Sequence, residues 1–321
     1  MARFSIGTAI GDGFDLIRRR PLAVFVWGLL MVAPSAATFG LVWPMMGEMI
    51  GAMAMEARGD GSVHDTAFAN MMQFQAMSGL LNILQMLLIV VVYTAIMRAV
   101  LRPREDSFFS LRIGMDELRV AVVGLAVVVG LYITMMVMVL IGAAVGFAAW
   151  GAGSPVNWLV IVGLVVTAIL AIFLGMARVS MIAPASVLYR TFAFAEGWRL
   201  GRGQTGRLFG MMLLLILLVV VVEVVVVGVG LAIAVAVGAS GGIDWAGLQS
   251  HHTEANPFAG ISAMVAANWP WFAVGAVVAA AIYGLLVTLH IAPYASACRQ
   301  LAEGETPPKA DEQSPAPAEV V

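Results

Sequence analysis

Six long apolar runs, near 21–46, 77–101, 119–147, 156–184, 207–238 and 269–297, decide what this chain can become. Each is long enough to cross a hydrocarbon core of ~30 Å, which takes roughly 20 helical residues. The runs are continuously apolar and do not alternate with period two, which selects helices over a β-barrel. Composition agrees, with 61% hydrophobic and only 11% charged residues, where a soluble domain carries about a quarter charged. The fold class expected is an all-α integral membrane protein with six transmembrane helices. The single cysteine, Cys298, excludes an intrachain disulfide.

The net charge of −2 says little, but the distribution of charge says much. All but Arg58 of the 17 Lys and Arg fall in the N-terminal arm, the joints at 98–119 and 178–207, or the C-terminal end. Six spans put those four segments on one side, and the positive-inside rule makes that side the cytoplasm. The expectation is a multi-pass protein of the bacterial inner membrane with both termini cytoplasmic. A competing reading takes Arg18-Arg19-Arg20, the apolar run and Pro34-Ser35-Ala36-Ala37 as a cleaved signal peptide. The apolar run continues past Ala37 through Leu41 and Trp43, which argues against cleavage.

Residues 4–19 place Ile6, Ile10, Phe14 and Ile17 on one helical face, as an amphipathic helix lying in the cytoplasmic interface would. Pro21 suits the first turn of the span that follows. Pro34 and Pro44 predict a kink or a partly unwound outer end in span one. The run MIGAMAMEA in the outer loop, about 47–76, reads as a further interfacial helix. The joint LRPREDSFFSLRIGMDELR has Pro103 to end span two, and then a new amphipathic stretch. Gly142 and Gly146 form a small-xxx-small face on span three. The uncharged connection at 148–156 makes spans three and four a tight hairpin. Between spans four and five, Arg178 to Gly210 reads as an exit, a short basic helix and a re-entry. The domain expected is 1–302, followed by a Pro- and Glu-rich tail, 303–321, with too little apolar bulk to fold.

Internal repetition is visible. Ile182-Ala183-Pro184 leads to Arg190, and Ile291-Ala292-Pro293 leads to Arg299 at the same offset. A glycine, a bulky residue and a leucine recur in Gly13-Phe14-x-Leu16, Gly114-Met115-x-x-Leu118 and Gly197-Trp198-x-Leu200. The chain therefore reads as three hairpin repeats, each an amphipathic interfacial helix plus two spans. The run from Ala183-Pro184 through Glu196-Gly197-Trp198-Arg199-Leu200-x-Arg202-Gly203 resembles a segment of uncharacterised bacterial polytopic membrane proteins. It is similar to the membrane domains fused to some glycerophosphodiester phosphodiesterases. The opening FSIGTAIGDGFDLIRRRPL and the ending IAPYASACRQL fit the same group. That resemblance implies a lipid-related setting. No phosphodiesterase barrel or His/Glu/Asp metal cluster is visible, so it carries over no catalytic residue.

Gly201-Arg-Gly203-Gln-Thr-Gly206 matches G-x-G-x-x-G, but it lies between a short helix and a membrane span, where a dinucleotide fingerprint needs a βαβ unit. Arg199, Arg202 and Arg207, with Arg18, Arg19 and Arg20, read instead as contacts to anionic lipid headgroups, or as arginines that only set topology. His251-His252 with Glu254 and Asp244 has suitable metal-ligand types, but adjacent loop histidines are ordinarily solvated, and neither a metal nor a cofactor is expected. The 21 methionines read as apolar filler. No G-x-S-x-G, H-E-x-x-H, Walker A or paired C-x-x-C occurs. Inside the spans, Glu223 lies ~24 Å along its helix from Arg207, and Tyr283 and Asn82 lie at the same depth from Arg299 and Arg98. Gln85 and Tyr132 come near ~20 Å. These five predict one intramembrane polar layer facing the bundle interior.

Three functions fit. The leading one is a non-enzymatic protein with a lipid-interacting or scaffolding role in the envelope. A small transporter or lipid-translocating protein using Glu223 and the repeat is the alternative, and a lipid-modifying enzyme is the third. The partners expected are membrane lipids with anionic headgroups, a second copy or other membrane proteins, and no nucleic acid.

Overall fold

The computed structural model describes residues 3–56, 64–104, 108–149, 156–239 and 267–305. Every helix or turn element among them is helical. In chain order they are α1 (Ile6–Arg19), α2 (Pro21–Glu56), α3 (His64–Leu101), a 3-10 turn (Phe108–Ser110), α4 (Met115–Ala149), α5 (Val156–Val179), α6 (Ile182–Tyr189), α7 (Phe194–Gly201), α8 (Thr205–Ala239) and α9 (Trp269–Glu305). Six of these, α2, α3, α4, α5, α8 and α9, are long and apolar enough to cross a membrane. The all-helical, six-span class expected from the apolar runs is the class observed.

The spans do not pack evenly. Helices α2, α3 and α9 pack closely on one another, and α1 lies along α9. Helix α5 touches both α4 and α8, while α8 barely meets α9. The short α6 ties the two sets together, touching α3, α4, α7 and α9. The tightest crossing is α2 with α9, where Gly28 faces Gly284 backbone to backbone. A Cβ on Gly28 would lie 2.6 Å from the Gly284 nitrogen and overlap the Ala280 carbonyl. Only glycine permits that approach.

The core gathers at one end. Its two clusters centre on Trp27, Ile96, Val100 and Ile291, and on Met181, Leu208, Met211, Leu215 and Cys298. All of these lie near the span ends that carry the arginines. Farther along, α4, α5 and α8 present Val, Leu, Ile and Met to their surroundings.

Several local expectations are corrected. Helix α2 runs unbroken through Pro34 and Pro44 to Glu56, so MIGAMAMEA is its last turns and no separate helix. Among the described residues of the joint after α3 there is no separate α-helix. A 3-10 turn leads to Gly114, whose N–H donates to the Glu117 carboxylate at 2.9 Å and opens α4 as half of a capping box. In α1 the buried face is Ala9, Gly13 and Leu16, with Phe14 exposed, because the helix docks on Leu289, Ala292 and Pro293 of α9. Helix α9 continues through Pro293 to Glu305, past the domain boundary expected at 302. The third pair of spans is not a packed hairpin, since α8 rests on α5 while α9 fills the angle of α2 and α3. Gly142 and Gly146 of the small-residue face have no neighbour that a Cβ would meet. The 148–156 connection lies mostly outside the described residues. So do the His251-His252 group and positions 306–321 of the tail.

Candidate anion site at the basic end

Among the described residues, four ion pairs meet in the joint between α3 and α4. Arg98 closes the last turns of α3 and is only 4% exposed. Its Nη1 donates to the Ser110 carbonyl at 2.8 Å, and its Nη2 to Glu117 Oε1 at 2.5 Å. Arg102, one turn on, donates to Asp116 Oδ2 at 2.5 Å and to the Val187 carbonyl of α6 at 3.0 Å. Arg119 reaches the other Asp116 oxygen at 2.8 Å. Asp116 and Glu117 stand in the first turn of α4, where the helix dipole also favours negative charge.

This network fixes a strained turn. Phe109 and Ser110 both take left-handed backbone angles, φ 52° and 56°, at a cost on the order of 1–3 kcal/mol each for non-glycine residues. Trp27 Nε1 donates to the Phe109 carbonyl at 3.0 Å, and Arg20 Nη1 to the Ser110 hydroxyl at 3.2 Å. Arg190, which caps α6, is left-handed too, at φ 56°. That conformation usually falls to glycine or asparagine.

Between these groups lies a cavity of about 300 Å³ lined by Arg98, Arg102, Arg112, Arg119 and Arg190 with Asp116 and Glu117. Five guanidinium groups face two carboxylates, so the lining formally carries a threefold positive excess. Such a wall can hold an anion whose oxygens accept several N–H groups at once. A second cavity, about 310 Å³, opens between α4 and α5. Ala126, Gly130, Leu131, Ile172, Gly175 and Met176 line it together with Ile182 and Phe194, so its walls are mainly apolar.

A separate latch holds the termini. Asp12 accepts from Arg299 Nη2 at 2.7 Å and from the Ser296 hydroxyl at 2.6 Å, and Arg299 Nη1 donates to the Val100 carbonyl at 3.0 Å. The Ser5 N–H donates to Gln300 at 2.9 Å. Arg178 of α5 stacks on Trp198 of α7 with its guanidinium carbon 4.2 Å from the ring centre, a cation–π contact.

The residues singled out from sequence are distributed differently from expectation. Glu223 is exposed on α8, with no hydrogen bond or ion pair to another described residue, and does not face the interior of this chain. Tyr132 is 72% and Tyr283 42% exposed. Asn82 is exposed and donates to the Ser78 carbonyl of its own helix at 3.0 Å. Gln85 alone of the five bonds to another helix, donating to the Met31 carbonyl at 3.4 Å. The layer is not assembled because these positions lie beyond the packed end. Among the arginines, Arg18, Arg19, Arg199, Arg202 and Arg207 are exposed. Arg19 pairs with Asp15 at 3.2 Å, while Arg20 braces the 3-10 turn and Arg207 Nη1 reaches the Phe4 carbonyl at 3.5 Å. Sequence reasoning missed Arg102, Arg119, Asp116, Glu117 and Asp12. The available signal was the acidic pair opening MDELR in an otherwise basic joint. Comparison with protein-family models, curated proteins and solved structures finds no match to this chain.

Proposed function

We propose that this chain is a non-enzymatic, multi-pass protein of the bacterial inner membrane, with both termini in the cytoplasm and a lipid-interacting or scaffolding role. The observation that carries this reading is the ring of exposed arginines, Arg18, Arg19, Arg199 and Arg202, at the packed end of a bundle whose described spans expose mainly apolar side chains. A basic residue beside an anionic leaflet contributes about 1 kcal/mol, so four act together even where each is weak. The resemblance of the Ala183–Gly203 segment and the chain ends to membrane domains fused to glycerophosphodiester phosphodiesterases points to the same lipid setting. The transporter alternative needs Glu223, Tyr132, Tyr283, Asn82 and Gln85 to share a cavity. The exposure of Glu223 and Tyr132 weighs against it.

Two measurements test the proposal. Asp60→Cys and Ser250→Cys should label with an impermeant maleimide from outside, and Ser107→Cys and Thr205→Cys should not. External labelling of Ser107→Cys would overturn the topology. Replacing Arg18, Arg19, Arg199 and Arg202 by Gln should lower the phosphatidylglycerol and cardiolipin that co-purify with the protein. Unchanged lipid content would reduce these arginines to topology signals.

A further inference from the structure

We infer that the arginine cavity and the apolar crevice form one binding site for a single anionic phospholipid, with its phosphate among Arg112, Arg119 and Arg190 and one acyl chain between α4 and α5. The inference rests on the lipid-facing reading above, but it names a different place from the exposed ring and a stoichiometry of one.

Charge is the first argument. Within the cavity lining, Asp116 already accepts from Arg102 and Arg119, and Glu117 from Arg98 and the Gly114 N–H. Their negative charge is committed to bracing the joint, and the lining as a whole remains three charges positive. Arg112 is exposed at the mouth and makes no hydrogen bond or ion pair to another described residue. A phosphodiester offers what this wall lacks, an anion with several acceptor oxygens.

Geometry is the second. Both cavities are built on one face of α4. Seven residues separate Arg119 of the polar cavity from Ala126 of the crevice, which is ~10 Å of rise and a rotation of only about 20°. Helix α6 gives the same separation independently. Ile182 at its start lines the crevice and Arg190 at its end lines the polar cavity, ~12 Å apart along the axis. Two helices thus place the anionic pocket ~10–12 Å along their axes from the apolar slot, a spacing that a phospholipid's glycerol backbone and the start of an acyl chain can cover. Free phosphate would use only the first and a neutral lipid only the second.

The site lies at the basic end of the spans, the level at which the proposed topology puts headgroups of the inner leaflet. Gly130 and Gly175 keep the slot open, since neither has an atom within 4 Å of where its Cβ would be.

The test uses the full chain in mild detergent, titrated with phosphatidylglycerol and read by native mass spectrometry. The unaltered protein should retain one phosphatidylglycerol in preference to phosphatidylcholine. Arg112→Gln with Arg190→Gln should weaken that binding about tenfold, equivalent to about 1.4 kcal/mol, and Gly130→Phe should weaken it comparably by filling the slot. Arg199→Gln with Arg202→Gln should leave the single bound lipid in place, so the exposed ring and this site can fail separately. Equal binding by the Arg112/Arg190 variant, or no preference over phosphatidylcholine, overturns the phosphate half. The acyl half is checked on unaltered protein, independently of whether Gly130→Phe folds. Lysophosphatidylglycerol should displace the bound lipid at far lower concentration than inorganic phosphate or glycerol phosphate. Equal potency would show a site for free phosphate and overturn the lipid assignment.

Discussion

Gly284→Ala on α9 isolates what holds the two most closely packed spans together. A Cβ there would overlap the Val24 carbonyl oxygen of α2 and lie 3.0 Å from the Val24 carbonyl carbon and 3.2 Å from the Gly28 nitrogen. Unstrained heavy-atom contacts sit at about 3.5–4.0 Å. The atoms struck are backbone on both helices, so no side chain can swing away and the axes must separate. Separation loosens Ala23, Val24, Trp27 and Met31 from α9 along the crossing. Overpacking of this kind costs about 1–3 kcal/mol, and rigid backbone obstacles place it at the upper end. Replacing glycine in a helix recovers about 1 kcal/mol of propensity. The net expectation is a loss of about 2 kcal/mol. Gly275→Ala on the same helix is the matched control, because its Cβ would meet nothing within 4 Å, and it should be neutral or stabilising. Gly28→Ala combined with Gly284→Ala should cost less than the sum, since helices parted by the first Cβ already accommodate much of the second. Reversible unfolding in mixed micelles reads the unaltered protein and these four variants, Gly28→Ala alone among them. Equal midpoints for Gly284→Ala and Gly275→Ala would refute the close crossing.

The remaining predictions use the same measurement. Glu117→Gln removes the closer of the two carboxylates facing Arg98, whose Nε stays 3.7 Å from Asp116 Oδ2, so the variant should cost less than the about 3–5 kcal/mol of a fully unpaired buried charge. On α8, Leu215 is fully buried and Leu217 is 59% exposed, so Leu215→Ala should cost about 2–5 kcal/mol and Leu217→Ala less than about 0.5 kcal/mol. Glu223→Leu should leave stability equal or raised, since it removes an exposed carboxyl from an apolar wall. A marked loss would show that Glu223 has a partner in the assembled protein.

The spans were legible because a run of twenty apolar residues has few other uses, but their outer ends were not, since α2 runs on to Glu56 and α3 begins at His64. The short helix α7 was legible for a local reason, an amphipathic FAEGWRLG between two runs. The pairing of the spans was not. Gly28 and Gly284 are two among 34 glycines, and nothing nearby in sequence marks them as facing each other. The prolines misled for a related reason. A proline interrupts a helix that must satisfy its backbone alone, but in a membrane bundle neighbouring groups can re-satisfy the freed backbone. The polar layer failed because depth along a helix says nothing of direction around it. Glu223, Tyr132 and Tyr283 sit at similar depths on walls that do not converge. The arginine network was hidden by counting charge per joint. Arg98 and Arg102 read as topology signals until Asp116 and Glu117, fourteen or more residues on, fold back against them.

The uneven packing itself has a physical cause. Between helices in hydrocarbon no hydrophobic force operates, because lipid tails solvate leucine as well as a neighbouring helix does. Association there depends on close backbone approach or on hydrogen bonds. Helices α2 and α9 have the first at Gly28 and Gly284, and α3 joins α2 through Gln85 and Met31. The far halves of α4, α5 and α8 have neither, since their glycines meet nothing and their surfaces are Val, Leu and Ile. Near the basic end the situation changes. Arginines and carboxylates exist there to cross-link the joints, and α1, α6 and α7 add apolar faces that must leave water. Both core clusters lie at that end. It follows that the end carrying the charges is also the end that specifies the fold, while the far halves are shaped to be solvated by lipid. The apolar crevice between α4 and α5 lies where these two regimes meet, lined by Ile182 and Phe194 from the packed end and by Gly130, Thr134, Ala171 and Ile172 farther along the spans.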